Sequence, residues 1–176
     1  MLTRDFLLNA DCKTAFGAIE ESLLWSAEQR AASLAATLAC RPDDGSVWIF
    51  GYGSLMWNPA LEYRESCTGT LPGWHRAFCL RLTAGRGSAT QPGRMLALKE
   101  GGRTTGVAYR LPDDTLEEEL TLLWKREMIT GCYLPTWCKL DLDDGRTVNA
   151  LVFIMDPRHP LFEADTSAQV IAPLIA

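Results

Sequence analysis

From Val47 onward this sequence is written in short apolar, β-branched runs punctuated by glycines, and that texture narrows the folds open to it. Six segments read as strands: Val47–Phe50, Gly73–Leu82, Met95–Glu100, Gly106–Leu111, Leu134–Leu140 and Val148–Met155. Strands in that number, with few helices between them, favour a mixed, barrel-like α+β domain over an alternating β-α-β layout. One helix interrupts the series. Pro112-Asp113-Asp114-Thr115 supplies a turn and a cap, and Thr115-x-x-Glu118 fits a capping box. Leu116, Leu120, Leu123 and Trp124 follow at helical spacing, which predicts an amphipathic helix of about three to four turns. Ser167–Ile175 begins a further helix.

The residues before this region have another character. Residues 12 to 39 are rich in Ala, Leu, Glu and Gln, with no proline and one glycine. They predict one long helix, or two shorter ones with the second capped at Ser26. Arg41-Pro42-Asp43-Asp44-Gly45 then breaks the pattern as a joint. The expected organisation is an N-terminal helical extension, residues 1–45, and a main domain, residues 46–176.

Charge and cysteine usage exclude several classes of function. The 176 residues carry a formal net charge of −5, which argues against a nucleic acid or an anionic membrane as main partner. No stretch approaches the roughly 18 uninterrupted apolar residues of a membrane span. The opening MLTRDFLLNADCK has one early basic residue, and its short apolar run is broken by Asn9 and Asp11, so it does not read as a signal peptide. Six cysteines, Cys12, Cys40, Cys67, Cys79, Cys132 and Cys138, are scattered without a C-x-x-C pair. They read as free thiols of a reducing cytosol. With His75 and His159 the only histidines, no zinc-ligand spacing is present.

Two places break the local rules, and such exceptions tend to be functional or strained sites. The first is Glu127. On a helical wheel it falls about 20° from Leu116, inside the apolar stripe, while Glu117, Glu118 and Glu119 point away. Leu122 and Ile129 fall on the opposite side. An inward carboxylate has its pKa raised by poor solvation, as a general base working near neutrality requires. The alternative is a glutamate at the helix end, or one paired with an arginine such as Arg94 or Arg110.

The second exception is Gly51-Tyr52-Gly53-Ser54-Leu55, directly after an apolar strand. Two glycines around one residue allow positive φ and leave room for a ligand to approach the backbone. Such a loop offers N–H donors and the Ser54 hydroxyl to a carboxylate or carbonyl oxygen; a tight turn without a ligand is the competing reading. A dinucleotide fingerprint fails, because Met56 stands where glycine is needed and Trp57-Asn58-Pro59 disfavours a helix start. A phosphate loop lacks its G-K-[ST], and a nucleophile elbow would need glycine at Tyr52 and Met56. Cys132 lies close to Glu127 in sequence but has no nearby histidine to activate it.

These same places carry a resemblance. The run Val47-Trp48-Ile49-Phe50-Gly51-Tyr52-Gly53-Ser54-Leu55-Met56-Trp57 resembles the signature of the ChaC family of γ-glutamylcyclotransferases. Gly73-Trp74-His75-Arg76-Ala77-Phe78, Pro92-Gly93-Arg94, Gly106-Val107-Ala108-Tyr109-Arg110, Arg126-Glu127 and Gly131-Cys132-Tyr133 follow in order, so the similarity spans roughly residues 47 to 156. It implies a γ-glutamylcyclotransferase-like mixed β-barrel flanked by helices; the N-terminal helical region, residues 12 to 39, has no counterpart in the core family, and the resemblance assigns it no role. It also implies glutathione as substrate, with 5-oxoproline and cysteinylglycine as products, and no metal or other cofactor. By match, Tyr52, Gly53, Ser54 and Leu55 bind the γ-glutamyl group, Phe50, Gly51, Arg94 and Tyr133 are further substrate-binding positions, and Glu127 is the general acid/base. The cysteine usage and the missing secretion signal lead to the expectation of a cytoplasmic protein, and a monomer is expected. Where many relatives read R-E-x-G-G-Y, three residues here separate Glu127 from Gly131 and Cys132 replaces the second glycine. Relatives also often continue past the point where this sequence ends. A γ-glutamyl-amino-acid or γ-glutamylamine cyclotransferase, and a non-catalytic regulatory binding protein of the same fold, stay open beside the glutathione-specific enzyme. Also open is whether the 51–55 loop holds the α-carboxylate or the γ-carbonyl oxygen.

Overall fold

A computed structural model describes residues 3–9, 19–43, 45–85 and 87–175. Cys12, Asp44 and the first part of the expected 12–39 helical region lie outside the described residues. In chain order the elements are α1 (Arg4–Leu8), a 3₁₀ turn (Glu21–Leu23), α2 (Ala27–Ala39), β1 (Trp48–Gly51), α3 (Ser54–Trp57), β2 (Glu65–Leu82) and β3 (Gly93–Arg110). They are followed by α4 (Leu116–Glu127), β4 (Tyr133–Leu142), β5 (Thr147–Met155) and α5 (Ala168–Ile175). The five strands close into a barrel in the order β1-β3-β2-β4-β5. Every pairing is antiparallel except the closing one, where Trp48 and Ile49 of β1 lie parallel to Ala150 and Leu151 of β5.

Side chains alternating along the strands sort into two cores. Trp48, Phe50, Leu71, Leu98, Ala108, Leu140, Ala150, Val152 and Ile154 fill the barrel. Ile49, Leu151 and Phe153 point the other way and pack with Leu120, Leu123, Trp124 and Met128 beneath α4. The Trp124 and Phe153 rings meet edge-on, with centroids 5.3 Å apart. Burying side chains of this size contributes about 1.5–3 kcal/mol each, so this second core fixes α4 to the barrel wall.

The strands run longer than the sequence pattern predicts. Segments 95–100 and 106–111 are one continuous strand, β3, and β2 begins at Glu65 instead of Gly73. The glycines that suggested a break form a bulge: Pro72 pairs with Arg103 and Trp74 with Glu100, leaving Gly73 opposite Gly101 and Gly102. Gly101 and Gly102 take φ of 104° and 69°, so the strand bends without ending.

The helices agree with their capping signals in one case and depart in another. Ser26 caps α2, and its hydroxyl and the Gln29 side chain bond reciprocally to each other's backbone N–H, a complete capping box. Thr115 precedes α4 without a side-chain cap bond, and its buried hydroxyl has no hydrogen-bond partner among the described residues, so the expected Thr115–Glu118 box does not form. Nor do all three acidic neighbours point to water. Glu119 is fully buried, and Arg4 of α1 grips both its oxygens at 2.6 and 2.7 Å while the Glu62 N–H donates at 2.9 Å. Leu122 is buried too, because α1 covers the face of α4 that the wheel left to solvent.

Candidate active site

β1, β5 and the start of β4 deliver their residues to one end of the barrel. There the chain leaves β1 at Gly51, runs through Tyr52 and Gly53, and makes the single helical turn α3. That turn was not expected before Asn58-Pro59; it closes at once, with the Asn58 N–H donating to the Ser54 carbonyl at 3.1 Å. Neither loop glycine adopts positive φ. Gly51 is required for space instead: a Cβ there would lie 2.9 Å from Leu55 Cβ, so only glycine lets α3 fold back on the strand. Two outside groups pin the loop. The buried Tyr52 hydroxyl donates to the Phe153 carbonyl of β5 at 2.7 Å, and Arg76 Nη1 donates to the Tyr52 carbonyl at 3.1 Å.

Glu127 is the last residue of α4, and its side chain keeps only 15% exposure. Its partner is neither Arg94 nor Arg110 but the adjacent Arg126, whose Nε donates to Glu127 Oε1 at 2.9 Å. The Arg126 side chain is itself 4% exposed and spends its other nitrogens on the loop after β1. Nη2 donates to Ser54 Oγ at 3.1 Å, and Nη1 donates to the Asn58 and Pro59 carbonyls at 2.5 and 3.0 Å. One guanidinium therefore joins the two exceptions of the sequence, the inward carboxylate and the glycine-bounded loop. Burial pushes the Glu127 carboxyl above the ordinary carboxylate range, and the charge and hydrogen bond of Arg126 pull it back only in part.

Two tyrosines complete the group. Tyr52 and Tyr133 are nearly inaccessible, and burial raises both hydroxyls well above the ordinary tyrosine value. The Glu127 charge adds to the rise at each, more prominently at Tyr52. The Tyr133 ring stands edge-on to Phe153 at 6.1 Å. Cys132, between Glu127 and Tyr133, has its thiol pushed up to about 12 by burial, so it is no nucleophile at neutral pH.

The remaining predicted positions are placed differently. Phe50 is wholly buried inside the barrel, 6.5 Å from the Tyr52 ring by centroid, and Leu55 is buried beneath the loop. Ser54 is exposed. Arg94 is engaged with Glu163 at 3.2 Å, and among the described residues no hydrogen bond or ion pair joins it to Glu127 or Ser54. Sequence reasoning missed the roles of Arg126 and Arg76. Arg126 falls in the last turn of an amphipathic helix, where a cation ordinarily faces water and the helix dipole.

The closed five-stranded barrel flanked by helices has the fold of solved γ-glutamyl cyclotransferases. The model of the family described as ChaC-like protein matches residues 47–176, and the chain belongs to that family. It is 90% identical over 176 residues to the glutathione-specific gamma-glutamylcyclotransferase of Escherichia coli (strain K12), covering 100% of this chain and 76% of that protein. Glutathione-specific gamma-glutamylcyclotransferase 1 of Danio rerio is 37% identical over 137 residues, 74% of this chain and 69% of that protein. Among solved structures, a crystal structure of a yeast γ-glutamyl cyclotransferase specific to glutathione superposes with a TM-score of 0.68 at 20% identity, over 75% of this chain and 79% of that one. That likeness bears on the fold. No described helix is long and apolar enough to cross a membrane.

Proposed function

We propose that this chain is a glutathione-specific γ-glutamylcyclotransferase, which splits glutathione into 5-oxoproline and cysteinylglycine by ring closure without adding water. The observation that carries the reading is the Arg126 bridge, with Glu127 on one side at 2.9 Å and Ser54 on the other at 3.1 Å. The γ-glutamyl group holds its own nucleophile, the α-amine. When the chain is held folded, that nitrogen forms a bond to the γ-carbonyl carbon and the bond from that carbon to the cysteinyl nitrogen breaks. Well-oriented attack of this kind is worth effective molarities of about 10⁵ to 10⁸ M.

The site's own residues divide the work. The α-amine, with a pKa near 8, is mostly ammonium at neutral pH and must lose a proton before it attacks. Glu127 accepts that proton and returns it to the departing nitrogen. The ring nitrogen sheds a second proton once its bond to carbon has formed, and that proton leaves with cysteinylglycine as its ammonium, so the atoms balance without water. Its raised pKa suits both transfers. Tyr52, Gly53, Ser54 and Leu55 cradle the γ-glutamyl group, and Tyr133 walls the pocket. Arg126 fixes the distance between cradle and base. Incubating the chain with glutathione beside γ-glutamyl dipeptides, and measuring 5-oxoproline and cysteinylglycine, tests the reading. Release from glutathione above the dipeptides is expected; a dipeptide preference, or no 5-oxoproline at all, would reject it.

A further inference from the structure

Glu127 and Tyr133 are joined by five residues, Met128 to Cys132, and the position of the carboxylate depends on how firmly that link is held. Glu127 is the final helical residue, where helices fray, so α4 alone does not fix it. The link is tied by its carbonyls. Thr130 O lies 3.0 Å from His159 Nε2, and Cys132 O accepts from the Asp156 N–H at 2.9 Å. The third tie comes from outside residues 47–176, the part the family shares: the Trp25 N–H donates to Ile129 O at 2.8 Å.

The Trp25 side chain adds a second constraint. Gly131 takes φ of 64°, the left-handed region that favours glycine, and a Cβ there would lie 1.9 Å from Trp25 Cε2. The indole thus occupies the space a side chain at 131 would fill. Trp25 is held in turn, because Arg30 Nη1 donates to its carbonyl at 2.5 Å and the Ser26 capping box starts α2 at the next residue. Trp124 Nε1 ties α2 to α4 through Ser33 Oγ at 3.2 Å.

We propose that Trp25 is a positioning residue for ring closure, whose indole plate and backbone N–H together fix the Met128–Cys132 link and through it Glu127 and Tyr133. The proposal rests on the cyclotransferase reading above. The N-terminal extension then becomes a working part of the enzyme. A shift of about 1 Å at a reacting group can cost about 10²-fold in rate, and supporting residues that lock a site act on this scale. The groups bearing on Glu127 are Arg126 beside it, Tyr52 from the loop after β1, and Cys132 and Tyr133 from the link and β4. Removing the plate admits water to that enclosure.

Steady-state kinetics on glutathione with the whole chain tests this. Trp25→Ala is expected to lower kcat at least about tenfold with KM changed by less than about threefold. The acidic limb of its pH profile should move to lower pH as Glu127 gains solvent. Trp25→Phe, which keeps a flat ring, should restore most of kcat. A role in packing alone would lower the unfolding midpoint while kcat per folded molecule and the acidic limb stayed put, and that result overturns the proposal. Should Trp25→Ala not fold, Trp25→Leu keeps apolar bulk without the plate, and wild-type kcat and limb in it overturn the proposal equally. Failure of the wild-type chain to release 5-oxoproline would instead remove the cyclotransferase reading itself.

Discussion

As the proposed general base, Glu127 would have to be a carboxylate when it meets the ammonium form of the substrate, yet its burial favours the protonated acid. Burial raises its pKa and Arg126 lowers it, with burial prevailing. Protonated Glu127 accepts no proton, so kcat/KM should fall as pH drops through the raised value. The acidic limb is expected above the ordinary glutamate range near 4.3. Glu127→Gln should abolish that limb and lower turnover at least about 10²-fold while the unfolding transition persists, measured by 5-oxoproline release and circular dichroism. Arg126→Lys keeps a charge but not the planar fork that reaches Glu127, Ser54, Asn58 and Pro59 together. Giving up part of that fork of part-buried, charge-assisted hydrogen bonds should cost about 1.5–3 kcal/mol in urea unfolding. Glu127 was legible in the sequence because an acid inside an apolar stripe violates a periodicity. Arg126 was not, since an arginine in a last helical turn violates nothing, and its loop acceptors, Ser54, Asn58 and Pro59, lie more than sixty residues away.

Elements carry their own lesson in α4, which the wheel read as one-sided and the fold uses on two sides. One side meets the barrel through Leu120, Leu123 and Trp124; on the other, Glu119 is sealed under α1 by Arg4. Removing one partner of a buried pair leaves an uncompensated charge. Arg4→Ala should therefore destabilise the protein at the lower end of about 3–5 kcal/mol, since Arg4 retains 26% exposure. Chemical denaturation measures this, and Arg4→Ala combined with Glu119→Leu should recover part of the loss. The strands were legible as types and misjudged as lengths. Glycines look alike in sequence whether they end a strand or bulge it, and only the partner across β2 and β3 decides.

At the scale of the molecule, the N-terminal extension and the barrel share one core. Leu7 is buried in it, and Leu23, Trp25, Leu34 and Leu38 pack against it. A fragment of residues 46–176 should therefore lose fixed packing, with near-UV dichroism weakened and hydrophobic dye bound. Native-like spectra from the fragment would contradict this. The sequence offered no role for these helices because their partners are contacts distant along the chain, which no local pattern records.

The parallel seam between β1 and β5 has a kinetic consequence. The β2–β3 hairpin pairs residues close in sequence, but Trp48 and Ala150 are about a hundred positions apart, and contacts that distant form slowly because loop entropy is lost before they are gained. The Tyr52 hydroxyl finds Phe153 only once that seam exists. During refolding from urea, hairpin signals should return early and glutathione turnover only with the slowest phase, so catalysis would report the last stave set into the cask.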